Sequence, residues 1–169
     1  APKPAAGAAT PKPPQDVAAV VAADLARSGR FQTLPDKDFV SQPTDDKAVV
    51  FKEWRLLKAE ALLIGSVQAL PTGQFQVQFR LYDVLKEQQL AGYRYTVGAE
   101  TLRIVAHQIA DIVHEKLTGE PGAFNTRIAY ITREELRGTP VSYKLQVADS
   151  DGYNPQTIVK SPEPLMSPA

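Results

Sequence analysis

The stretch Gln74-Phe75-Gln76-Val77-Gln78-Phe79-Arg80-Leu81 alternates polar and apolar side chains without a break. Successive side chains of a strand point to opposite faces, so this period of two predicts a half-buried β-strand. Phe75, Val77, Phe79 and Leu81 turn toward a core, and Gln74, Gln76, Gln78 and Arg80 toward water. Just before it, Pro71-Thr72-Gly73 supplies turn chemistry, and the short apolar run at 61–70 reads as a preceding strand. Beyond a turn near 85–88, Tyr93, Tyr95 and Val97 alternate with Arg94 and Thr96. Three such strands in succession form a meander.

Helical patterns flank the meander. Val17, Val20, Val21 and Leu25 follow a helical period, with Asp16 placed to cap the start and Gly29 to end it. Asp45 and Asp46 open a second predicted helix in which Val50, Trp54 and Leu57 share a face. The longest helix covers about 100–117, where Leu102, Val105, Ile109, Ile112 or Val113, and Leu117 recur at helical spacing before Gly119. Helices laid on one face of a mixed or antiparallel sheet give an α+β class, an α/β sandwich with a polar outer face. After Pro121-Gly122, β-like runs at 127–132, 143–148 and 157–160 suggest a separate all-β piece. The expected organisation is a flexible Pro/Ala-rich arm at 1–13, an α/β domain at 14–122 and a β unit at 123–169.

Composition narrows the function classes. The 169 residues carry 19 Lys+Arg against 19 Asp+Glu, and no Cys. A binder held to nucleic acid by bulk positive charge is disfavoured, and thiolate metal sites and disulfides are excluded. No apolar stretch approaches the roughly 20 residues of a membrane-spanning helix. A start at Ala1 with Met166 as the single Met is expected of a chain that has lost an initiating segment or of an excised piece.

His107 and His114, the two histidines, lie on the long helix with Asp111 between them, a pattern that could hold a metal or relay a proton in a small metal-dependent hydrolase. Their helical phase opposes Leu102, Val105, Ile109 and Val113, so the competing expectation is an exposed stripe without ligands. No other His and no Cys can complete a coordination shell. Asp149-Ser150-Asp151-Gly152 has the start of a calcium loop but lacks the closing Glu, and reads as a hairpin turn. No Gly-rich phosphate loop, G-x-S-x-G or H-E-x-x-H occurs. An anticodon-like nucleic-acid module would need an aromatic and basic sheet face, whereas Phe75, Phe79, Tyr93 and Tyr95 are expected to face the helices. The reading is therefore non-catalytic, with no catalytic, cofactor or metal residue assigned. Gln74, Gln76, Gln78 and Arg80 are the candidate face for a protein partner.

Several segments carry a resemblance. Lys116-Leu117-Thr118-Gly119, with Gly122-Ala123-Phe124 and Thr126-Arg127-Ile128-Ala129-Tyr130-Ile131, resembles the TolB family of periplasmic translocation proteins. Asp24-Leu25-Ala26-Arg27-Ser28-Gly29-Arg30-Phe31 is similar to that family's first helix and its exit. Asp149-Ser150-Asp151-Gly152-Tyr153-Asn154 and Ser161-Pro162-Glu163-Pro164-Leu165-Met166-Ser167-Pro168-Ala169 are similar to its first propeller blade. The resemblance implies an anticodon-binding-like α/β domain followed by the start of a six-bladed β-propeller. It also implies a periplasmic adaptor of the Tol-Pal envelope-integrity system, peripheral to the membrane through protein partners. TolA and Pal are the implied partners, both expected to be weakened or lost here. The family's apolar strand before the first helix is replaced by Pro, Ala and Lys, and its further blades, opening on W-S-P-D-G, lie beyond Ala169.

Overall fold

The computed structural model describes residues 12–166. The arm expected at 1–13 lies outside them, apart from Lys12 and Pro13, which belong to no helix or strand. The chain divides after Pro121 into two units.

In the first unit β1 (Ala61–Ala69), β2 (Phe75–Asp83) and β3 (Gln88–Val97) form an antiparallel sheet in the order β1-β2-β3. Gly73 takes a φ of 81°, a left-handed conformation open to glycine, and closes the first hairpin by donating its N–H to the Leu70 carbonyl at 3.0 Å. At the second hairpin the Lys86 N–H donates to Asp83 Oδ1 at 2.8 Å. These turns fix the register in which Gln78 lies between Ser66 and Arg94, and Arg80 between Ile64 and Gly92.

Helix α1 (Val17–Arg27) starts at Asp16, whose side chain accepts the Ala19 N–H at 3.0 Å. Helix α3 (Leu102–Thr118) follows a 3₁₀ turn at Ala99–Thr101 and ends at Gly119, whose φ of 78° allows its N–H to reach the Glu115 carbonyl at 2.8 Å. Helix α1 packs along α3, and α3 lies against β3. The buried side chains on this side are Val17, Val20, Val21 and Leu25 of α1 and Leu102, Val105, Ile109 and Val113 of α3. Phe75, Val77, Phe79 and Leu81 of β2 are buried with them as the sequence pattern requires. Each such burial is worth about 1.5–3 kcal/mol, so the helices and the sheet are held by shape and area rather than by any single bond.

The other face of the sheet departs from the expected one-sided layering. Leu62, Ile64 and Tyr82 point away from α3, and with Trp54 and Val84 they form a second apolar cluster. Phe39, Val49, Phe51, Leu57 and Ala59 pack around it. One end of the supposedly open face is thus covered by the 31–60 connection. The second helix is also shorter than the sequence suggests. Asp45 caps a 3₁₀ turn at Asp46–Ala48, accepting from the Lys47 and Ala48 N–H groups at 3.0 and 3.2 Å. Val49 and Val50 are then extended, and α2 runs only Phe51–Leu56. Val50 ends up exposed, while Trp54 is buried.

The second unit is a three-stranded antiparallel sheet, β4 (Arg127–Glu134), β5 (Ser142–Asp149) and β6 (Gln156–Ser161), in the order β4-β5-β6. The loop after β5 forms the turn expected of Asp149-Ser150-Asp151-Gly152, with the Gly152 N–H on the Asp149 carbonyl at 2.8 Å and the Tyr153 N–H on Asp151 Oδ1 at 3.0 Å. It extends to 155, so the connection is a longer loop than a two-residue hairpin. Ser150 anchors its base by donating through Oγ to the Phe124 carbonyl at 2.6 Å. Ile128, Ile158 and Val159 remain largely exposed.

Candidate functional site

The histidine stripe is not where the sequence places it. His107 is 3% exposed and His114 is 9% exposed. Helix α3 is packed on two sides, by the sheet and by α1, so its buried surface is wider than the single stripe traced by Leu102, Val105, Ile109 and Val113. His107 Nδ1 lies 2.6 Å from Asp24 Oδ2, an N–H donated from α3 to a carboxylate of α1. The second oxygen, Asp24 Oδ1, accepts from Arg27 Nη2 at 2.8 Å. Asp24 is itself completely buried, so both of its oxygens need such donors. His114 donates through Nδ1 to the Glu120 carbonyl at 2.9 Å and stands edge-on to Phe31, with ring centroids 5.8 Å apart. The Nδ1 of His107 thus faces a carboxylate of α1, and the Nδ1 of His114 a backbone carbonyl. The arrangement ties α1, α3 and the chain after α3 together, and the exposed histidine stripe expected from the helical phase is instead buried.

The signal for this pair was present but needs two elements to be read together. Asp24 follows Val17, Val20 and Val21 on the apolar face of α1, and a carboxylate in that phase requires a buried donor from elsewhere.

The polar face of the sheet behaves differently along its length. Gln74 is exposed in the turn, and Gln76, Gln78 and Arg80 are half-buried. Register places Gln68, Gln76 and Thr96 in one cross-strand row and Ser66, Gln78 and Arg94 in the next. Gln78 Oε1 accepts from Arg94 Nη2 at 3.0 Å, and Arg80 Nη1 reaches Asp46 Oδ1 at 3.1 Å. Burial pushes the Tyr82 phenol up from its ordinary value, opposed by the neighbouring Arg80 cation. The aromatics lie on the opposite face: Phe79 has its ring centroid 5.7 Å from Tyr93 and 6.5 Å from Tyr95. Tyr93 is nevertheless half-exposed, because it sits on the edge strand, so the expectation that it is covered by the helices holds only in part. Burial, and secondarily Tyr93 beside it, pushes the Tyr95 phenol up. Arg94 and Gly92 complete the polar face, and alternation along β2 alone could not register them.

Residues 1–90 match the family model of the TolB amino-terminal domain. The chain belongs to the TolB family. Residues 114–169 also match the TolB beta propeller domain model. The Tol-Pal system protein TolB of Nitrosococcus oceani is 52% identical over 157 residues, covering 93% of this chain and 36% of that protein. Its counterpart in Xanthomonas campestris pv. campestris is 49% identical over 167 residues, covering 99% of this chain and 38% of the relative. The crystal structure of TolB from Acinetobacter baumannii superposes with a TM-score of 0.80 at 33% identity, over 90% of this chain and 37% of that one. The chain thus spans little more than a third of the length of the TolB proteins it matches. An α+β unit followed by part of a propeller fits both matches, and no helix among the described residues is long and apolar enough to cross a membrane.

Proposed function

We propose that this chain is a non-catalytic, periplasmic protein–protein adaptor of the Tol-Pal envelope-integrity system. The observation that carries the reading is the near-complete coverage of the chain by relatives named Tol-Pal system protein TolB at about half identity. In this reading 14–122 is the TolB-like, anticodon-binding-like α/β domain and 123–169 is a first-blade fragment of the propeller. Its partners are TolA and Pal, each contact weakened or lost in this chain, and it reaches the membrane only through them. The contact surface is the polar sheet face bearing Gln74, Gln76, Gln78 and Arg80. That face offers hydrogen-bonding side chains on a sheet: β2 positions Gln76, Gln78 and Arg80, and Gln74 stands in the turn that precedes the strand.

Calorimetric titration with the soluble carboxy-terminal domain of TolA, and separately with soluble Pal, tests this. Saturable binding is expected to at least one, with a longer TolB form binding Pal more tightly. Replacing Gln74 and Gln76 with Ala together should weaken the TolA interaction by about tenfold if they sit in the contact. Binding to neither protein would remove the adaptor reading. Unchanged affinity of the double variant would move the contact off this face.

A further inference from the structure

On the polar face, a cleft of about 260 Å³ opens over Gly92 and is walled by Gln78, Arg80, Gln89 and Arg94. Gly92 stands directly across from Arg80, and Arg94 directly across from Gln78, so the two guanidinium-bearing residues are diagonal neighbours on adjacent strands. The missing side chain is what leaves the space. A Cβ at position 92 would come within 2.6 Å of Gln89 Nε2 and 3.4 Å of Arg80 Cγ.

The two arginines differ in their surroundings. Arg80 is balanced by Asp46 at 3.1 Å, whereas the hydrogen bond of Arg94 goes to the neutral amide of Gln78. Among the described residues Arg94 pairs with no carboxylate. The cleft therefore carries the charge of two cations against one anion, where the polar rows of Ser66, Gln68, Gln76 and Thr96 meet the row that ends in the buried Ile64.

We propose that this cleft is a carboxylate subsite, taking a Glu or Asp side chain of an extended protein segment laid across the polar sheet face. The inference rests on that face being the partner surface, and names the chemistry the partner must bring. A guanidinium presents a planar fork that matches a carboxylate, and charge-assisted bonds of this kind are stronger than amide pairs. Gln78 and Gln89 add amide groups at the walls. A single net positive charge balances one carboxylate. A nucleic-acid backbone, with its repeating phosphates, needs a cationic track that Gln68, Gln76 and Thr96 do not provide.

The test uses the full 169-residue chain, labelled with ¹⁵N, and two extended probes: acetyl-Thr-Glu-Thr-Glu-Thr-amide and the same peptide with Gln in place of Glu. The Glu peptide should produce saturable shifts centred on the backbone amides of Gly92 and Arg94 and on the Arg94 side chain, weakening as salt is added. The Gln peptide should bind at least about tenfold more weakly, as should Arg94→Gln with the Glu peptide. Gly92 has no positive φ, so Gly92→Ala can keep the strand while filling the cleft; it too should weaken the Glu peptide, with the remaining amide spectrum unchanged. Equal binding of the two peptides, shifts centred away from Gly92, or tighter binding of a thymidine hexanucleotide at the same amides would overturn the proposal. An acidic-peptide response at Gly92 with no TolA or Pal binding would remove the adaptor reading and leave the subsite. The reverse pair of results would remove only the subsite.

Discussion

His107 Nδ1 and Asp24 Oδ2 lie 2.6 Å apart across the α1–α3 packing, with side chains 3% and 1% exposed. Removing one partner of a buried polar pair leaves the other desolvated and without its bond, which costs more than the pair contributes in net terms. Asp24→Ala should destabilise the chain by about 3 kcal/mol in urea unfolding. With His107→Ala added, the double-mutant cycle should return a coupling of about 1 kcal/mol or more. Additive effects within about 0.3 kcal/mol would show that the two side chains do not act as a unit.

Legibility in the sequence followed the range of the interactions. The alternation around Val77 and Phe79 specified β2, its faces and, with Pro71-Thr72-Gly73, its hairpin, because strand period and turn chemistry are local. The α1 cap at Asp16 and the α3 stop at Gly119 were legible for the same reason. The Trp54 cluster was not, since Phe39, Phe51 and Leu62 come together only after a long connection has folded over the sheet. Nor was the burial of His107 and His114, which a helical wheel of α3 alone assigns to water. Their position follows from a second helix packing on that flank. On the candidate face, Gln76 and Gln78 were visible from β2, but Arg94 and Gly92 join them only through cross-strand register.

The Trp54 cluster lies on the opposite side of the sheet from α1 and α3, so it should fail separately in magnitude though not in cooperativity. Trp54→Ala is expected to cost about 4 kcal/mol, the range for emptying a buried aromatic site. The same substitution at Tyr93, half-exposed on the edge strand, should cost distinctly less. Thermal unfolding of the two variants compares them, and equal losses would place Trp54 outside a packed core.

Asp83 provides a pH-dependent contribution. The Lys86 backbone N–H, first among its causes, holds the Asp83 carboxyl below its ordinary value. A depressed carboxyl pKa contributes stability that is fully present above the unfolded value, near 3.9, and is lost as pH falls through the folded value. The parent chain should therefore be more stable than Asp83→Asn at pH 6, and the difference should shrink steadily below about pH 4. Paired unfolding curves at pH 6, 4 and 3 check the sign. A gap that widens toward acid would contradict it.

The most direct test of the central claim is a chemical-shift map of the ¹⁵N-labelled chain with unlabelled soluble TolA carboxy-terminal domain added to saturation. An adaptor working through its polar sheet face predicts saturable shifts clustered on Ser66, Gln76, Gln78, Arg80, Arg94 and Thr96, with the α1 and α3 amides near Asp24 and His107 little changed. Shifts confined to α1 and α3, or none up to millimolar TolA domain, would contradict it.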